Sequence, residues 1–247
     1  MKRASKWILR ITLAILIIMA ALIGLWQLSK MRSYQLFGEI VSSVDTHEKV
    51  IALTFDDGPT AAYTNEILAI LDQYGVKATF FVIGREVEEN PEHARSIVEA
   101  GHELGNHSWS HPNMSLLSLD RVADEIERTD AAIRAVGYEG ELHFRPPFGK
   151  KLLTLPWYLR QHNRTTVMWD IEPETYAEIA AEPSRIVQHV LDKARPGSIV
   201  LLHLMYESRE TSRQALPTII ERLHEQGYKL VTVSELLSVS AFAAGDR

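Results

Sequence analysis

The chain has 247 residues, 46% of them hydrophobic, a formal net charge of −6 and no cysteine. The missing cysteines exclude disulfides, thiolate metal sites and a cysteine nucleophile. The mildly acidic balance, with no basic cluster beyond the N-terminus, excludes nucleic acid as an expected partner.

The first ten residues carry Lys2, Arg3, Lys6 and Arg10. Residues 11–28, ITLAILIIMAALIGLWQL, follow without a single charge, and Lys30 and Arg32 come next. At ~1.5 Å rise per residue this stretch is just long enough to cross the hydrocarbon core of a bilayer. The basic flank predicts that residues 1–10 stay in the cytoplasm and that everything after the helix is exported. A cleaved signal peptide has a shorter apolar region and a small-residue cleavage site, and no A-x-A pattern stands here. The reading is therefore a single-pass signal-anchor in the cell membrane, with cleavage as its rival. Residues 29–48 are mixed and polar and read as a linker, 49–240 as the catalytic domain, and 241–247 as a C-terminal tail.

From Lys49 onward short β-rich runs alternate with helical patterns. The runs are VIALTF (50–55), ATFFVI (78–83), ELHFR (141–145), TTVMW (165–169), SIVLLH (198–203) and YKLVTV (228–233). Between them lie amphipathic stretches such as AAYTNEILAILDQYG, PEHARSIVEAG, LDRVADEIERTDAAIRAVG and SRIVQHVLDKA, several ending in glycine as helix C-caps do. Ser118 reads as an N-cap. Such alternation implies βαβ units, an α/β fold and a mostly parallel sheet. With a short strand near 102–106 the count is about seven units, which suits a distorted barrel or a doubly wound sheet.

In both architectures sites gather at the C-terminal ends of strands. Those ends carry Asp56 and Asp57, then His107 and His111, then Arg145 with Pro146, Pro147, Phe148 and Gly149, then Asp170 and Glu172, and finally His203. His107 and His111, spaced i, i+4, stack on one side of a helical turn and permit shared metal ligation. Two imidazoles plus a carboxylate from another strand end make a three-ligand site with open positions, the arrangement of catalytic divalent metals. One member of the Asp56–Asp57 pair then binds the metal while the other acts as general base toward water, kept ionised by the cation and by Arg145. His203 suits the general acid. The bland reading of DDGP is a helix-initiating turn. His102 reads as a capping or packing residue, Trp109 as either a sugar platform or a packing residue, and His143 and His189 as ordinary surface or strand residues.

TFDDGP, HSWSH, RPPFG and LLH, in this order and spacing, resemble the NodB-homology polysaccharide deacetylases, carbohydrate esterase family 4, over residues 48–238. The resemblance implies a distorted (β/α)7-type barrel and hydrolysis of the N-acetyl group of an N-acetylated amino-sugar polymer, such as peptidoglycan, a chitin-like chain or poly-N-acetylglucosamine. It implies one divalent metal ion, zinc first, with cobalt, manganese or iron as alternatives. By the same resemblance Asp56 is the base, Asp57, His107 and His111 the metal ligands, Arg145 the holder of the base and His203 the acid. Phe148 supplies a backbone N–H to the oxyanion, and Trp169 and Leu201, with Pro147, bind the substrate. Two departures stand out: Phe148 replaces the usual tyrosine, and the fourth motif reads WDIEPETY. Glu172 is expected to orient His203, with Asp170 as the alternative. A metal-dependent amidase on a non-sugar C–N bond, or an inactive carbohydrate-binding homologue, is the competing function. The expected assembly is a monomer.

Overall fold

The protein is described here by a computed structural model covering residues 2–245. It opens with α1 (Lys2–Ser29), whose stretch Leu9–Ser29 is 21 residues long, about 30 Å, apolar enough to cross a membrane, and unburied until Ser29 at its end. Next come β1 (Ile40–Val41), β2 (Val50–Asp56), α2 (Thr64–Gln73), β3 (Thr79–Val82), α3 (Gly84–Glu89), α4 (Pro91–Glu99) and β4 (Glu103–Asn106). Then follow α5 (Leu119–Ala135), α6 (Thr154–Gln161), β5 (Thr166–Val167), α7 (Ala177–Ala180), α8 (Pro183–Lys193), β6 (Ile199–His203), α9 (Glu210–Glu225), β7 (Lys229–Val231) and α10 (Val233–Gly245).

All strand pairs are parallel, and β2 is the hub, bonded to β3, β6 and β7. β4 extends the sheet beyond β3. Single parallel bridges carry the ring onward: Asn106 to Phe144, Phe144 to Thr166 in β5, and Ile171 back to Val200 in β6. The result is a closed but irregular barrel, as the resemblance implied.

The period-two alternation of the strands sorts the core. On β2, Ile51, Leu53 and Phe55 face the helical layer, and on β6 Val200 and Leu202 do the same. Burying each such side chain stabilises the fold by roughly 1.5–3 kcal/mol. The alternate positions Val50 and Ala52, with Ile199 and Leu201, face a second apolar cluster. Continuing up that second face, the next β2 residues are Thr54 and Asp56, and the next β6 residue is His203. The acid end of each strand therefore emerges on the barrel's interior side.

Three expectations change. The strand expected at 141–145 contracts to a bridge at Phe144, because Pro146 and Pro147 follow at once and lack the N–H a ladder needs. Residues 29–48 are not a free linker: β1 pairs with β5, and Val44 is buried with its N–H on the Gly197 carbonyl. The expected tail overlaps α10, which runs to Gly245, while positions 246 and 247 lie outside the described residues.

Candidate active site

Asp56 is the last residue of β2 and lies in direct register with His203, the last residue of β6. The chain then turns away from the strand: Asp57 has φ 74°, in the left-handed region, and its N–H donates to the Phe81 carbonyl at 3.1 Å. This turn, rather than strand alternation alone, sends the two neighbouring carboxylates in different directions.

Arg145 lies beneath them, wholly buried. Its Nη1 donates to Asp56 Oδ1 at 2.7 Å and to Thr54 Oγ1 at 2.9 Å, while Nε and Nη2 donate to the Val167 and Met168 carbonyls. The guanidinium also stacks 4.0 Å from the Phe81 ring centroid. A buried cation with this many partners is fixed in place, and so is the carboxylate it holds. Burial alone would raise the Asp56 carboxyl, but Arg145, His107 and His203 outweigh it and hold it below its ordinary value. Oδ1 is thus occupied, whereas Oδ2 stands 3.6 Å from His107 Nε2.

His107 and His111 do not share a helical turn. They lie in a loop after β4 in which Ser108 and His111 both have positive φ, 67° and 56°. The loop is braced by its own polar atoms, with Ser108 N–H on Asn106 Oδ1 and His111 N–H on Ser108 Oγ. The two rings approach to 4.9 Å between centroids. His107 Nδ1 is hydrogen-bonded to the Arg145 carbonyl at 2.7 Å, which turns Nε2 toward the carboxylates.

Asp57, His107 and His111 place one donor atom each within 4.8 Å of one another. His111 Nε2 is 3.7 Å and His107 Nε2 4.0 Å from Asp57 Oδ1. Those gaps are too long for hydrogen bonds and close to the ~3.3–3.6 Å edges of a tetrahedral site with ~2.0–2.2 Å bonds. Burial lowers His107 to about 4 and His111 below its ordinary value, so both imidazoles are neutral near pH 7, as ligation requires. Burial and the like charges of Asp56 and Glu86 push Asp57 up to about 6, against His203 and Arg209. A carboxylate in that condition gains from a cation beside it. The donor set fits a divalent metal of the zinc, cobalt, manganese or iron kind.

His203 faces the same cleft, and its partner corrects the expectation. Neither Glu172 nor Asp170 reaches it; Glu174 does, with Oε2 2.5 Å from His203 Nδ1 and both oxygens near the His203 N–H. Ser212 Oγ donates to Glu174 as well. Pro173 starts a tight 3-10 turn, Pro173–Thr175, which breaks the extended run and swings Glu174 inward. Burial would lower His203, but the hydrogen bond and charge of Glu174, with Asp56 and Asp57, raise it to about 9. Glu172 instead accepts from Trp169 Nε1 at 2.9 Å, Thr175 Oγ1 at 2.6 Å and Arg32 Nη2 at 2.6 Å. Asp170 accepts from Ser198 and the Ile199 N–H and pairs with Arg195.

These groups border a cleft of about 420 Å³, with Trp169, Leu201 and Phe148 on its walls. Phe148 has φ 58° and sets its ring edge-on to His111 at 4.6 Å. Pro147 is buried under that turn and does not line the cleft. Lys30, Arg32, Thr175 and Arg209 line it without having been singled out from the sequence.

With this geometry in view, the comparisons decide the family. The polysaccharide deacetylase model matches residues 43–167. The chain belongs to the polysaccharide deacetylase family. Among curated relatives, it is 41% identical over 199 residues to a Bacillus subtilis protein named peptidoglycan-N-acetylmuramic acid deacetylase PdaC, covering 80% of this chain and 40% of that protein. It is 38% identical over 202 residues to a Bacillus cereus peptidoglycan-N-acetylglucosamine deacetylase, covering 81% of this chain and 93% of that one. Among solved structures it is similar to a CE4 family pseudoenzyme from Bacillus anthracis, at 36% identity and TM-score 0.72, covering 80% of this chain and 68% of that one. The polysaccharide deacetylase fold therefore holds both active and inactive members, and activity rests on the individual residues of the cleft.

Proposed function

We propose that this polysaccharide deacetylase hydrolyses the N-acetyl group of an N-acetylated amino-sugar polymer, with peptidoglycan the substrate its relatives point to. The observation that carries this reading is the pairing of Asp56 with His203. They sit in register on neighbouring strands, one ionised and one protonated at neutral pH, on the border of the Asp57–His107–His111 cluster.

A divalent cation held by Asp57, His107 and His111 would polarise the acetyl carbonyl and make water more acidic. Asp56, its Oδ1 locked by Arg145, takes a proton from the attacking water through Oδ2. The new C–O bond forms as the carbonyl π electrons move onto oxygen, where the Phe148 N–H donates to the oxyanion. His203 then gives its Nε2 proton to the amide nitrogen as the C–N bond breaks, releasing acetate and a free amine. Glu174 holds the imidazolium in place throughout. Trp169 and Leu201 wall the acetyl methyl, and Arg145, which touches no substrate, is a positioning residue.

Residues 11–28 serve as a signal-anchor that keeps the domain outside the cell membrane, and the protein works as a monomer. Intact mass of the membrane-extracted chain distinguishes anchor from cleaved signal. The function is tested by acetate release from peptidoglycan, chitin oligomers and poly-N-acetylglucosamine, before and after chelation and metal re-addition. No acetate from any of the three, with metal bound, would overturn the reading.

A further inference from the structure

One wall of the cleft comes from residues that precede the region the family model matches, just as another comes from residues 168–209 that follow it. That model begins at residue 43, yet Lys30 and Arg32 border the cleft beside Asp57, His111 and Phe148. The segment is held from both sides. Arg32 is ion-paired to Glu172 at 2.6 Å and stacks 4.7 Å over the Trp169 ring. The Lys151 N–H donates to the Ser29 carbonyl at 2.9 Å, and the buried Lys151 ammonium donates to the Met31 carbonyl. Lys30 lies between these grips, its ammonium 3.1 Å from the Trp26 ring centroid. These contacts fix the backbone on both sides of Lys30 at the edge of the cleft.

The charges of the cleft do not balance. Asp56 is matched by Arg145, Glu172 by Arg32 and Glu174 by His203. Asp57 faces the metal cluster. Among the described residues no carboxylate forms an ion pair with Lys30 or with Arg209, and Arg209 Nε is a buried donor without a hydrogen-bond partner. Every acid of the cleft has a partner, whereas Lys30, whose ammonium lies over the Trp26 ring, and Arg209, which acts on Asp57 only through its charge, are in no ion pair among the described residues. A neutral glycan would leave both without an ion-pair partner; a carboxylate entering the cleft they border would supply one, and charge-assisted bonds in a partly enclosed cleft are stronger than on open surface.

We propose that Lys30 and Arg209 form an anion subsite of the cleft, taking a carboxylate borne by the N-acetylated glycan on or beside the sugar that loses its acetyl group. The muramyl ether carboxylate of peptidoglycan has this chemistry. The subsite rests on the deacetylase reading and adds a substrate class to it: acidic over neutral amino-sugar chains. The segment that leaves the membrane helix thereby becomes part of the specificity apparatus.

The test compares two probes on the full-length protein in detergent: a neutral chitin tetramer, and a peptidoglycan glycan tetramer with free muramyl carboxylates. Acetate release is followed for the wild type, Lys30→Gln, Arg209→Gln, the double variant and Lys30→Arg. The expected result is a KM for the acidic tetramer raised about tenfold in the double variant, equivalent to about 1.4 kcal/mol. Its kcat stays constant, its KM for the neutral tetramer moves by less than about twofold, and Lys30→Arg retains wild-type behaviour. Equal effects on both probes, no effect on either, or wild-type turnover of the neutral probe alone overturns the subsite and leaves the deacetylase reading standing. Turnover of neither probe by metal-loaded wild type overturns both.

Discussion

Two buried acid–imidazole clusters lie at opposite ends of the barrel strands, and only one of them lines the cleft. At the start of β3 and β4, Glu103 Oε2 accepts from Thr79 Oγ1 at 2.9 Å and the Ser234 N–H at 3.0 Å, and Oε1 accepts from Ser234 Oγ at 2.9 Å. His143 Nε2 completes the set at 3.1 Å from Ser234 Oγ. At the far end, His107 Nε2 faces Asp56 and Asp57 at 3.6 and 4.0 Å and bonds to neither. Residue types and burial are alike in the two places. What differs is that the first cluster spends both carboxylate oxygens on clamping α10 to the barrel, while the second leaves its donors converging on a gap. The direct His143–Glu103 gap is also 3.6 Å, so the histidine–acid distance does not separate the two ends; the convergence of Asp57, His107 and His111 on the cleft does.

That contrast can be broken most sharply at Asp56. Asp56→Asn keeps the hydrogen bond to Arg145 but cannot take a proton, so kcat should fall about 10³-fold while metal content per chain, read by atomic absorption, stays at the wild-type level. His111→Ala should instead lose the metal itself. Stripped and re-dialysed variant protein should bind metal about 10- to 100-fold more weakly than wild type, with activity recovered only at correspondingly higher metal concentration. Retention of full affinity would move the ligand set elsewhere.

The acid side of the mechanism yields a pH effect of known sign. In the proposed mechanism His203 acts as its protonated form, and its pKa is raised to about 9, so kcat should hold through neutrality and fall as pH rises through about 9. Glu174→Gln removes the charge that raises it, and the basic limb of the kcat profile should move down by about one unit or more. Glu172→Gln should leave that limb where it is. At the opposite cluster the expected effects are thermal rather than kinetic. Glu103→Ala strips partners from Thr79 and Ser234 and should destabilise by about 2–3 kcal/mol, lowering Tm by roughly 5–10 °C while kcat of the folded enzyme changes less than about twofold. A kinetic loss there as large as at Asp56 would erase the distinction between the two ends.

Much of the reactive end was legible from residues alone. Asp56, Asp57, Arg145 and His203 follow apolar runs, His107 and His111 follow the short stretch 102–106, and parallel strands bring such positions to one rim. The partner of His203 was not legible, because the extended alternation that favoured Glu172 stops at Pro173 and a 3-10 turn carries Glu174 inward. His143 read as an ordinary residue, since its strand shortens to the bridge at Phe144 and no periodicity remains to show that it is buried. His102 behaves as expected, its Nδ1 accepting from the Ala78 N–H. Trp109 packs, nearly buried, with Arg128 over its ring at 3.9 Å. Lys30 and Arg32 had the composition of a membrane flank, and nothing local distinguishes a flank that points at lipid from one that points into a cleft.

The grip of Lys151 on residues 29–31 also fixes a distance. A catalytic head on a slack tether would sweep a hemisphere of wall material. Here the last turn of α1 runs directly into the residues at the edge of the cleft. On the proposed signal-anchor reading, α1 seated in a bilayer would hold the cleft at one height, close to the lipid headgroups.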